Sequence, residues 1–316
     1  MENNMQSLAI SLLDALDEVV LGKRTQAKLI LAAWLAQGHV LLNDVPGVAK
    51  TRLARSLAAL TGLSTARVQG TPDLLPQDIT GGPIYDMKNG DLVFRPGPAF
   101  HNILLMDEIN RATPRTQSAL LECMEERQVT ADGQSHTLPE PFLVIATQNP
   151  IEMEGTFPLP EAELDRFLIS LSLGYPSEVD EQRLVQRFSA ADPISQLKPL
   201  VEPVMLQAMT DASKAVLIND VVRDYIVALC RATRTHPLVE LGASPRTSLR
   251  FAQLARSYGW LSGTDYATPD HVKFLAPYVL GHRLVPNSSA RVGRINASQM
   301  VEQILSEVAV PVEDVP

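Results

Sequence analysis

The residues with the clearest chemical potential form the stretch 43 to 51, which reads Asn-Asp-Val-Pro-Gly-Val-Ala-Lys-Thr. It follows the apolar run 39 to 42 and precedes a helical pattern over residues 52 to 60. Backbone N–H groups at the start of a helix bind phosphate oxygens, a lysine reaches the terminal phosphates, and a hydroxyl coordinates Mg²⁺. The stretch therefore predicts a phosphate-binding loop with Lys50 and Thr51 as its chemical groups.

This loop departs from the common pattern G-x-x-x-x-G-K-[ST] at two positions, where Asp44 and Ala49 replace glycine. Aspartate tolerates left-handed backbone better than most residues, and alanine has the smallest side chain after glycine. A strand-turn-helix corner without a ligand is the alternative interpretation, so residues elsewhere in the chain must decide between the two.

Two adjacent carboxylates, Asp107 and Glu108, follow the apolar run 103 to 106. Such a run is typical of a strand buried on both faces, and ligands of open α/β sheets bind beyond the carboxyl ends of their strands. We expect Asp107 to hold Mg²⁺ and Glu108 to polarise an attacking water. The alternative is a helix N-terminus stabilised by acidic residues.

Asn149 follows another apolar run, residues 142 to 146, and is expected at the same edge of the sheet. An amide there can orient a water and sense a terminal phosphate. An asparagine that simply forms a turn at a strand end is the alternative.

The elements that position these groups change character near residue 174. Before it, helices alternate with five segments that predict strands, namely the apolar runs 39–42, 103–106 and 142–146 and the strand-like segments 66–69 and 168–173. The dipeptides Asn89-Gly90 and Asp132-Gly133 predict two hairpins, the first spanning about 84–95. After it, the patterns are helical. We therefore predict an α/β core at 1–174, a helical domain at 177–285 and a tail at 286–316 with one short helix.

The composition fits a protein of two packed domains, with 316 residues, 45% hydrophobic and 20% charged. The formal net charge of −9 disfavours a nucleic-acid partner. No apolar run approaches 18 residues, and the N-terminus does not read as a secretion signal. We expect a cytoplasmic protein that does not insert into a membrane.

Taken together, these stretches resemble the MoxR family of AAA+ ATPases from about residue 20 to 284. The resemblance is carried by residues 43–51, 107–112, 146–152, 158–167 and 241–246. It implies an AAA+ P-loop core of the α/β class with a parallel five-stranded sheet, followed by an all-helical lid. It also implies a homo-oligomeric ring, usually hexameric, that binds ATP and Mg²⁺ between neighbouring subunits.

The resemblance assigns binding roles to individual residues. Lys50 and Thr51 match the Walker A pair, Thr51 with Asp107 would hold the metal, and Glu108 completes the Walker B pair. Asn149 matches sensor 1. The remaining positions that match nucleotide contacts are Val20 and Gly22 near the adenine, and Pro46, Gly47, Val48 and Ala49 in the phosphate loop.

Two arginines match residues that act on the γ-phosphate. Arg166 matches the arginine finger, which a subunit supplies to its neighbour, although its local sequence also allows a surface ion pair with Asp165 or Glu163. Arg246 matches sensor 2, and we expect it to reach the γ-phosphate of its own subunit from the first turn of a lid helix.

The resemblance further implies an ATP hydrolase that remodels or matures a client complex together with a von Willebrand factor A domain protein. A motor subunit of a metal chelatase, a nucleic-acid-directed motor and a non-hydrolysing nucleotide switch remain as alternatives. The acidic composition argues against the nucleic-acid motor, and the presence of Glu108 and Arg166 argues against the switch.

Overall fold

The computed structural model describes residues 2–45, 47–88, 90–131, 133–149, 155–188 and 193–311. Pro46 of the predicted phosphate loop lies outside the described residues, as do Asn89, Asp132 and residues 150–152.

The first part of the chain alternates helices and strands as predicted. In chain order these elements are α1 (Glu2–Val19), α2 (Arg24–Leu35), β1 (Val40–Asn43), α3 (Lys50–Thr61), β2 (Thr65–Gln69), α4 (Pro76–Thr80), β3 (Gly81–Asp86), β4 (Asp91–Pro96), β5 (Ile103–Asp107), α5 (Pro114–Glu126), β6 (Gln128–Ala131), β7 (Gln134–Thr137), β8 (Leu143–Gln148), α6 (Glu161–Leu164) and β9 (Ile169–Leu171).

Five of these strands form one parallel sheet in the order β2-β5-β8-β1-β9. Successive side chains of a strand point to opposite faces, and both faces of this sheet are covered. Leu104 and Met106 pack into a core with α5, whereas Ile103 and Leu105 pack into a second core with α1, α2 and α3. The predicted parallel five-stranded α/β core is confirmed.

Both predicted hairpins are present. Strands β3 and β4 pair antiparallel from Gly81 opposite Pro96 to Asp86 opposite Asp91. Strands β6 and β7 form the second hairpin. The two hairpins touch where the rings of Phe94 and His136 stack with centroids 3.9 Å apart.

The chain after β9 is mainly helical, which confirms the predicted lid. Its elements are α7 (Glu178–Phe188), α8 (Pro203–Ala215), α9 (Asp220–Thr235), β10 (Val239–Leu241), α10 (Pro245–Leu261), α11 (Pro269–Leu280), β11 (Val285–Pro286), α12 (Ser288–Val292) and α13 (Ala297–Glu307). The structure differs from an all-helical lid because β10 and β11 form a short antiparallel pair. Helix α8 was not predicted, and the tail contains two helices where one was expected.

The first two helices share a hydrophobic core with the lid. Leu12 and Leu16 of α1 and Leu31 of α2 belong to the same buried cluster as Leu206 of α8 and Phe251 of α10. The division at residues 174 to 177 therefore marks a change in secondary structure within a shared core, and the domain boundaries remain a prediction. No helix in the described part of the chain has the length and apolar character needed to cross a bilayer.

Candidate active site

The carboxyl edge of the sheet carries a cavity of about 390 Å³ beside the start of α3. Lys50 and Thr51 line it from the predicted phosphate loop, and Asp107 and Glu108 line it from the end of β5. Thr147 of β8 completes the wall at this edge. The two pairs of residues that the sequence placed in one site therefore share one cavity.

The phosphate loop uses left-handed backbone at two positions. Gly47 has a φ of 90°, and Ala49, the N-cap of α3, has a φ of 64°. Ala49 thus adopts, with a methyl group, the conformation for which glycine is the usual residue. The ammonium group of Lys50 donates a hydrogen bond to the Asp44 carbonyl oxygen at 3.1 Å, so its side chain curls back over the loop.

Asp44 stands where the consensus has a glycine, but its φ is not positive, so its backbone does not require glycine. Its buried carboxylate accepts hydrogen bonds from the Ser172 hydroxyl at 2.6 Å and from the backbone N–H groups of Leu173 at 2.7 Å and Gly174 at 3.0 Å. Asp44 therefore fastens the start of the phosphate loop to the segment that follows β9.

Asp107 is buried at the end of β5 and faces a cation. Its Oδ2 accepts a hydrogen bond from Arg67 Nε at 2.6 Å, and its Oδ1 lies 3.4 Å from the Thr147 hydroxyl. Arg67 lies on β2, the strand next to β5. A carboxylate with one oxygen on a guanidinium and the other on a hydroxyl is held rigidly at the cavity wall.

Glu108 begins a sharp turn with a φ of 54°, in the left-handed region that non-glycine residues seldom occupy. Its N–H donates to the Thr147 hydroxyl at 2.9 Å. Its Oε2 accepts hydrogen bonds from Gln69 at 2.8 Å and from Arg111 at 3.2 Å. Strained residues of this kind are typical of functional sites, and this one aims its carboxylate into the cavity.

A second cavity, of about 320 Å³, adjoins the first and shares Gly47, Ala49 and Arg52 with it. It is lined by Val20, Val48 and other residues, mostly apolar, from the α1–α2 connection and the segment after β9. Gly22 is not in this lining. It has a φ of 70°, and a Cβ there would lie 2.4 Å from an Asp180 carboxylate oxygen, so this glycine serves the turn.

The two predicted γ-phosphate arginines lie elsewhere. Arg166 Nε is 3.3 Å from Glu125 Oε2, and a guanidinium nitrogen of Arg246 bonds to the other oxygen of the same carboxylate. Glu125 lies near the carboxyl end of α5, and residues 37 to 39, which precede β1, line the same depression. The arginines are therefore at the amino edge of the sheet, at the other end of β1 from the phosphate loop.

This position contradicts the prediction that Arg246 reaches the γ-phosphate of its own subunit. A strand rises about 3.3 Å per residue, so the four residues of β1 alone separate the two edges by roughly 13 Å. Arg166 does form an ion pair, as its local sequence allowed, but its partner is Glu125 and not Asp165 or Glu163.

Comparisons with known proteins agree with this architecture. Residues 39–169 match the model of the ATPase family associated with various cellular activities, and residues 231–304 match the AAA lid domain. The chain is 40% identical over 302 residues to Chaperone MoxR1 of Mycobacterium tuberculosis, an alignment that covers 93% of this chain and 80% of that protein. The chain belongs to the MoxR family of AAA+ ATPases.

Other similarities fit the MoxR assignment. The Bacillus subtilis protein called Uncharacterized protein YeaC is 45% identical over 99% of this chain and 98% of its own length. The crystal structure of a putative ATPase from Cytophaga hutchinsonii superimposes with a TM-score of 0.92 at 34% identity, covering 98% of this chain and 97% of that one. A magnesium-chelatase 38 kDa subunit of Acidiphilium rubrum is more distant, at 27% identity over 63% of this chain and 58% of that subunit.

The site of this MoxR-family chain includes residues that the sequence interpretation missed. Arg67 and Gln69 both line the phosphate cavity, and Arg55 lines it from α3. Alternation on β2 could have revealed the first two, because residues two apart on a strand share a face at the edge where the carboxylates lie. With Lys50 and Arg52, the described lining carries four cationic side chains against the carboxylates of Asp107 and Glu108.

Asn149 lies directly after β8, at the expected edge, and is buried. The β8 residue that lines the cavity is Thr147, two positions earlier. The assignment of Asn149 as sensor 1 of this MoxR-family chain therefore remains a prediction.

Proposed function

We propose that this chain hydrolyses ATP to ADP and phosphate. The observation that carries the proposal is the pair of adjoining cavities, one polar and cationic, the other lined mostly by apolar side chains. A nucleotide needs such an arrangement, because its phosphates require cations and backbone N–H groups while its base requires an apolar wall.

The residues of the phosphate cavity fit Mg²⁺ as well. The Thr51 hydroxyl and the Asp107 carboxylate are oxygen ligands of the type that Mg²⁺ prefers, and both line the same cavity. Thr51 and Asp107 would hold the metal there, and its positive charge would offset the negative charge of the phosphates. The Arg67 guanidinium, which pairs with Asp107 and lines the same cavity, would supply a further positive charge to the phosphates.

Catalysis in this proposal depends on charges that the chain holds in place. Lys50 leaves the Asp44 carbonyl and extends to the terminal phosphates. Glu108 orients a water for attack on the γ-phosphorus, and the bonds from Gln69 and Arg111 fix the direction of its carboxylate.

Each site requires a second subunit in this proposal. Arg166 and Arg246 lie at the amino edge of the sheet and so face away from the nucleotide of their own subunit. A head-to-tail ring, which we propose to be a homo-hexamer, would bring both guanidinium groups of one subunit to the γ-phosphate of the next. In other enzymes, an arginine supplied in this way contributes about 10³ to 10⁵ in rate.

The test of hydrolysis compares Glu108→Gln with the unmodified chain. The substitution keeps volume and hydrogen bonding but removes the charge that polarises water, so ATP should still bind while turnover falls at least about 100-fold. Binding of a fluorescent ATP analogue and release of phosphate measure the two quantities. Lys50→Ala is the matched control and should lose binding itself. Turnover near the unmodified rate in Glu108→Gln would contradict the assignment.

We further propose that hydrolysis drives a chaperone-like remodelling of a client complex, together with a von Willebrand factor A domain protein. Support comes from the similarity to a protein named as a chaperone and from the exposed β3–β4 hairpin. The alternative role as motor of a metal chelatase has the weaker support of a match at 27% identity. Proteins retained by Glu108→Gln, with ATP bound, would distinguish the two.

A further inference from the structure

A single carboxylate joins the two segments that carry the γ-phosphate arginines. Asp165 precedes Arg166 and points away from it, toward the lid. Its Oδ2 accepts a hydrogen bond from the Ser244 hydroxyl at 3.0 Å, and its Oδ1 lies 3.3 Å from the Thr247 hydroxyl. Ser244 is the N-cap of α10. Ser244 and Thr247 lie on either side of Arg246 in the sequence, and Arg166 directly follows Asp165. The Asp165 carboxylate therefore links the two segments of backbone that carry the arginines.

The buried guanidinium of Arg283 also binds the segment 165 to 168. Its Nε donates to Asp165 Oδ1 at 2.6 Å, and other nitrogens donate to the carbonyl oxygens of Asp165, Phe167 and Leu168 at 3.2, 2.6 and 3.2 Å. The Arg283 side chain is 3% exposed. The Arg283 guanidinium therefore holds residues 165 to 168 against the lid, and its burial keeps it from contacting a ligand.

The Asp165 carboxylate keeps its charge in this setting. Burial alone would raise its pKa, but the hydrogen bonds from Arg283, Ser244 and Thr247 outweigh burial, so its pKa lies below the ordinary value for an aspartate. The N-terminus of α10 also favours a negative charge at this point. Asp165 is therefore ionised at neutral pH.

We propose that Asp165 is a positioning residue. It fixes Arg166 and Arg246 relative to each other, so that both guanidinium groups contact the γ-phosphate of the neighbouring subunit. Glu125 contacts both guanidinium groups, and Asp165 bonds to the chain segment that carries Arg246. The inference rests on the proposed function, because it assumes that the arginines act in trans. Asp165 itself touches no nucleotide, and its contribution is geometric.

The first measurement uses Asp165→Asn, which keeps the shape of the side chain but loses the charge that pairs with Arg283. ATP-analogue binding should stay within about twofold, because the pocket of the same subunit is untouched. Turnover should fall roughly 10- to 100-fold, since a displacement of about 1 Å at a reacting group costs rate on this scale. Asp14→Asn, which breaks the exposed ion pair of Asp14 with Arg24, is the matched control and should change neither quantity.

The deciding measurement mixes variants whose subunits exchange, with exchange shown by fluorescent labels. Asp165→Asn supplies an intact pocket, and Lys50→Ala supplies intact arginines, so activity should return in their mixture. It should not return when Asp165→Asn is mixed with Arg166→Ala, because both lack a working arginine group. A purely structural defect in Asp165→Asn would reduce assembly and give no rescue with either partner.

Each outcome has a separate meaning. If the mixture of Arg166→Ala and Lys50→Ala regains activity but that of Asp165→Asn and Lys50→Ala does not, the positioning role is wrong while the trans site stands. If exchanged rings of Arg166→Ala and Lys50→Ala stay inactive, the trans site and the positioning role both fall. Should Asp165→Asn not assemble, Arg283→Lys takes its place, because it keeps the charge but loses the fork, and the same rescue pattern is expected.

Discussion

At the scale of single residues, the phosphate loop shows how one motif tolerates two departures by different means. Ala49 accepts the left-handed backbone of the missing glycine, at a cost of about 1–2 kcal/mol for an L-residue. Asp44 has an ordinary backbone and uses its side chain as an anchor for residues 172 to 174. The two replacements of glycine therefore differ in kind, because Ala49 keeps the left-handed backbone at an energetic cost whereas Asp44 has an ordinary backbone and adds a set of hydrogen bonds.

Replacing Asp44 by alanine should unfasten that anchor. Three donors would lose a buried charged acceptor, so we expect a loss of about 2–3 kcal/mol in the free energy of unfolding. ATP-analogue binding should also weaken, because Gly174 lines the apolar cavity. Urea denaturation and analogue titration measure the two effects. Asn43→Ala, which removes one exposed bond to Ser170, is the control and should cost less than 1 kcal/mol.

At the scale of elements, the β3–β4 hairpin lies apart from the residues that line the two cavities. Its base is closed by Gly81 and Gly97, and a Cβ on Gly97 would lie 2.3 Å from the backbone nitrogen of Gly81. Toward its tip Tyr85, Met87 and Leu92 are exposed. Its described contacts include the stacking of Phe94 on His136, which joins it to the second hairpin. The hairpin contributes no described residue to the lining of either nucleotide cavity.

Removing the tip should therefore spare basal hydrolysis. Residues 84–93 would be replaced by a short Gly-Ser turn, with Gly81, Phe94 and Gly97 kept. We expect basal ATP turnover within about twofold of the unmodified chain and a loss of any stimulation by a partner protein. Phe94→Ala, which leaves the tip but releases its anchor on His136, is the companion variant. A collapse of basal turnover in assembled rings would show that the hairpin takes part in the chemistry.

How much of this arrangement was predictable differs between elements for physical reasons. Continuous apolar runs identified β1, β5 and β8, because strands that are buried on both faces carry apolar side chains at nearly every position. Helix α8 was missed because its buried face mixes Leu206 and Met209 with Thr210 and Ser213, which blurs the apolar stripe. The pair β10–β11 is too short to leave a pattern. The position of Arg246 was mistaken because the edge at which α10 begins depends on how the lid docks, which local sequence does not encode.

At the scale of the whole molecule, two histidines, His39 and His282, connect separate elements of the fold. His39 Nδ1 accepts a hydrogen bond from the Val144 N–H at 3.0 Å, and its Nε2 lies 3.1 Å from the Met124 carbonyl oxygen. His282 Nε2 lies 3.0 Å from the Phe167 carbonyl oxygen. Burial, followed by the charge of a nearby arginine, lowers the pKa of both rings well below the ordinary value of 6.5.

These two rings predict that the free energy of unfolding decreases as the pH falls through the mildly acidic range. Each stays neutral in the folded chain but becomes protonated in the unfolded chain below pH 6.5. Their stabilising effect is thus complete above that pH and is lost as pH falls toward the folded pKa, by about 1.4 kcal/mol per pH unit for each ring. Urea midpoints at pH 7.0, 6.0 and 5.5 measure this slope. His39→Gln should give a shallower slope, and an unchanged slope would contradict the contribution of His39.

The core shared by the first two helices and the lid has a consequence for how the protein is made. Most of α2 is buried, in part against α10, which begins about 210 residues later in the chain. A ribosome adds about 5–20 residues per second, so an emerging α2 waits on the order of 10 to 40 s before its partner has been synthesised. During that interval the apolar side chains of α2 that pack against α10 lack this partner and face solvent or a protein that protects nascent chains. The speed of translation between the two helices therefore sets how long this segment is open to aggregation.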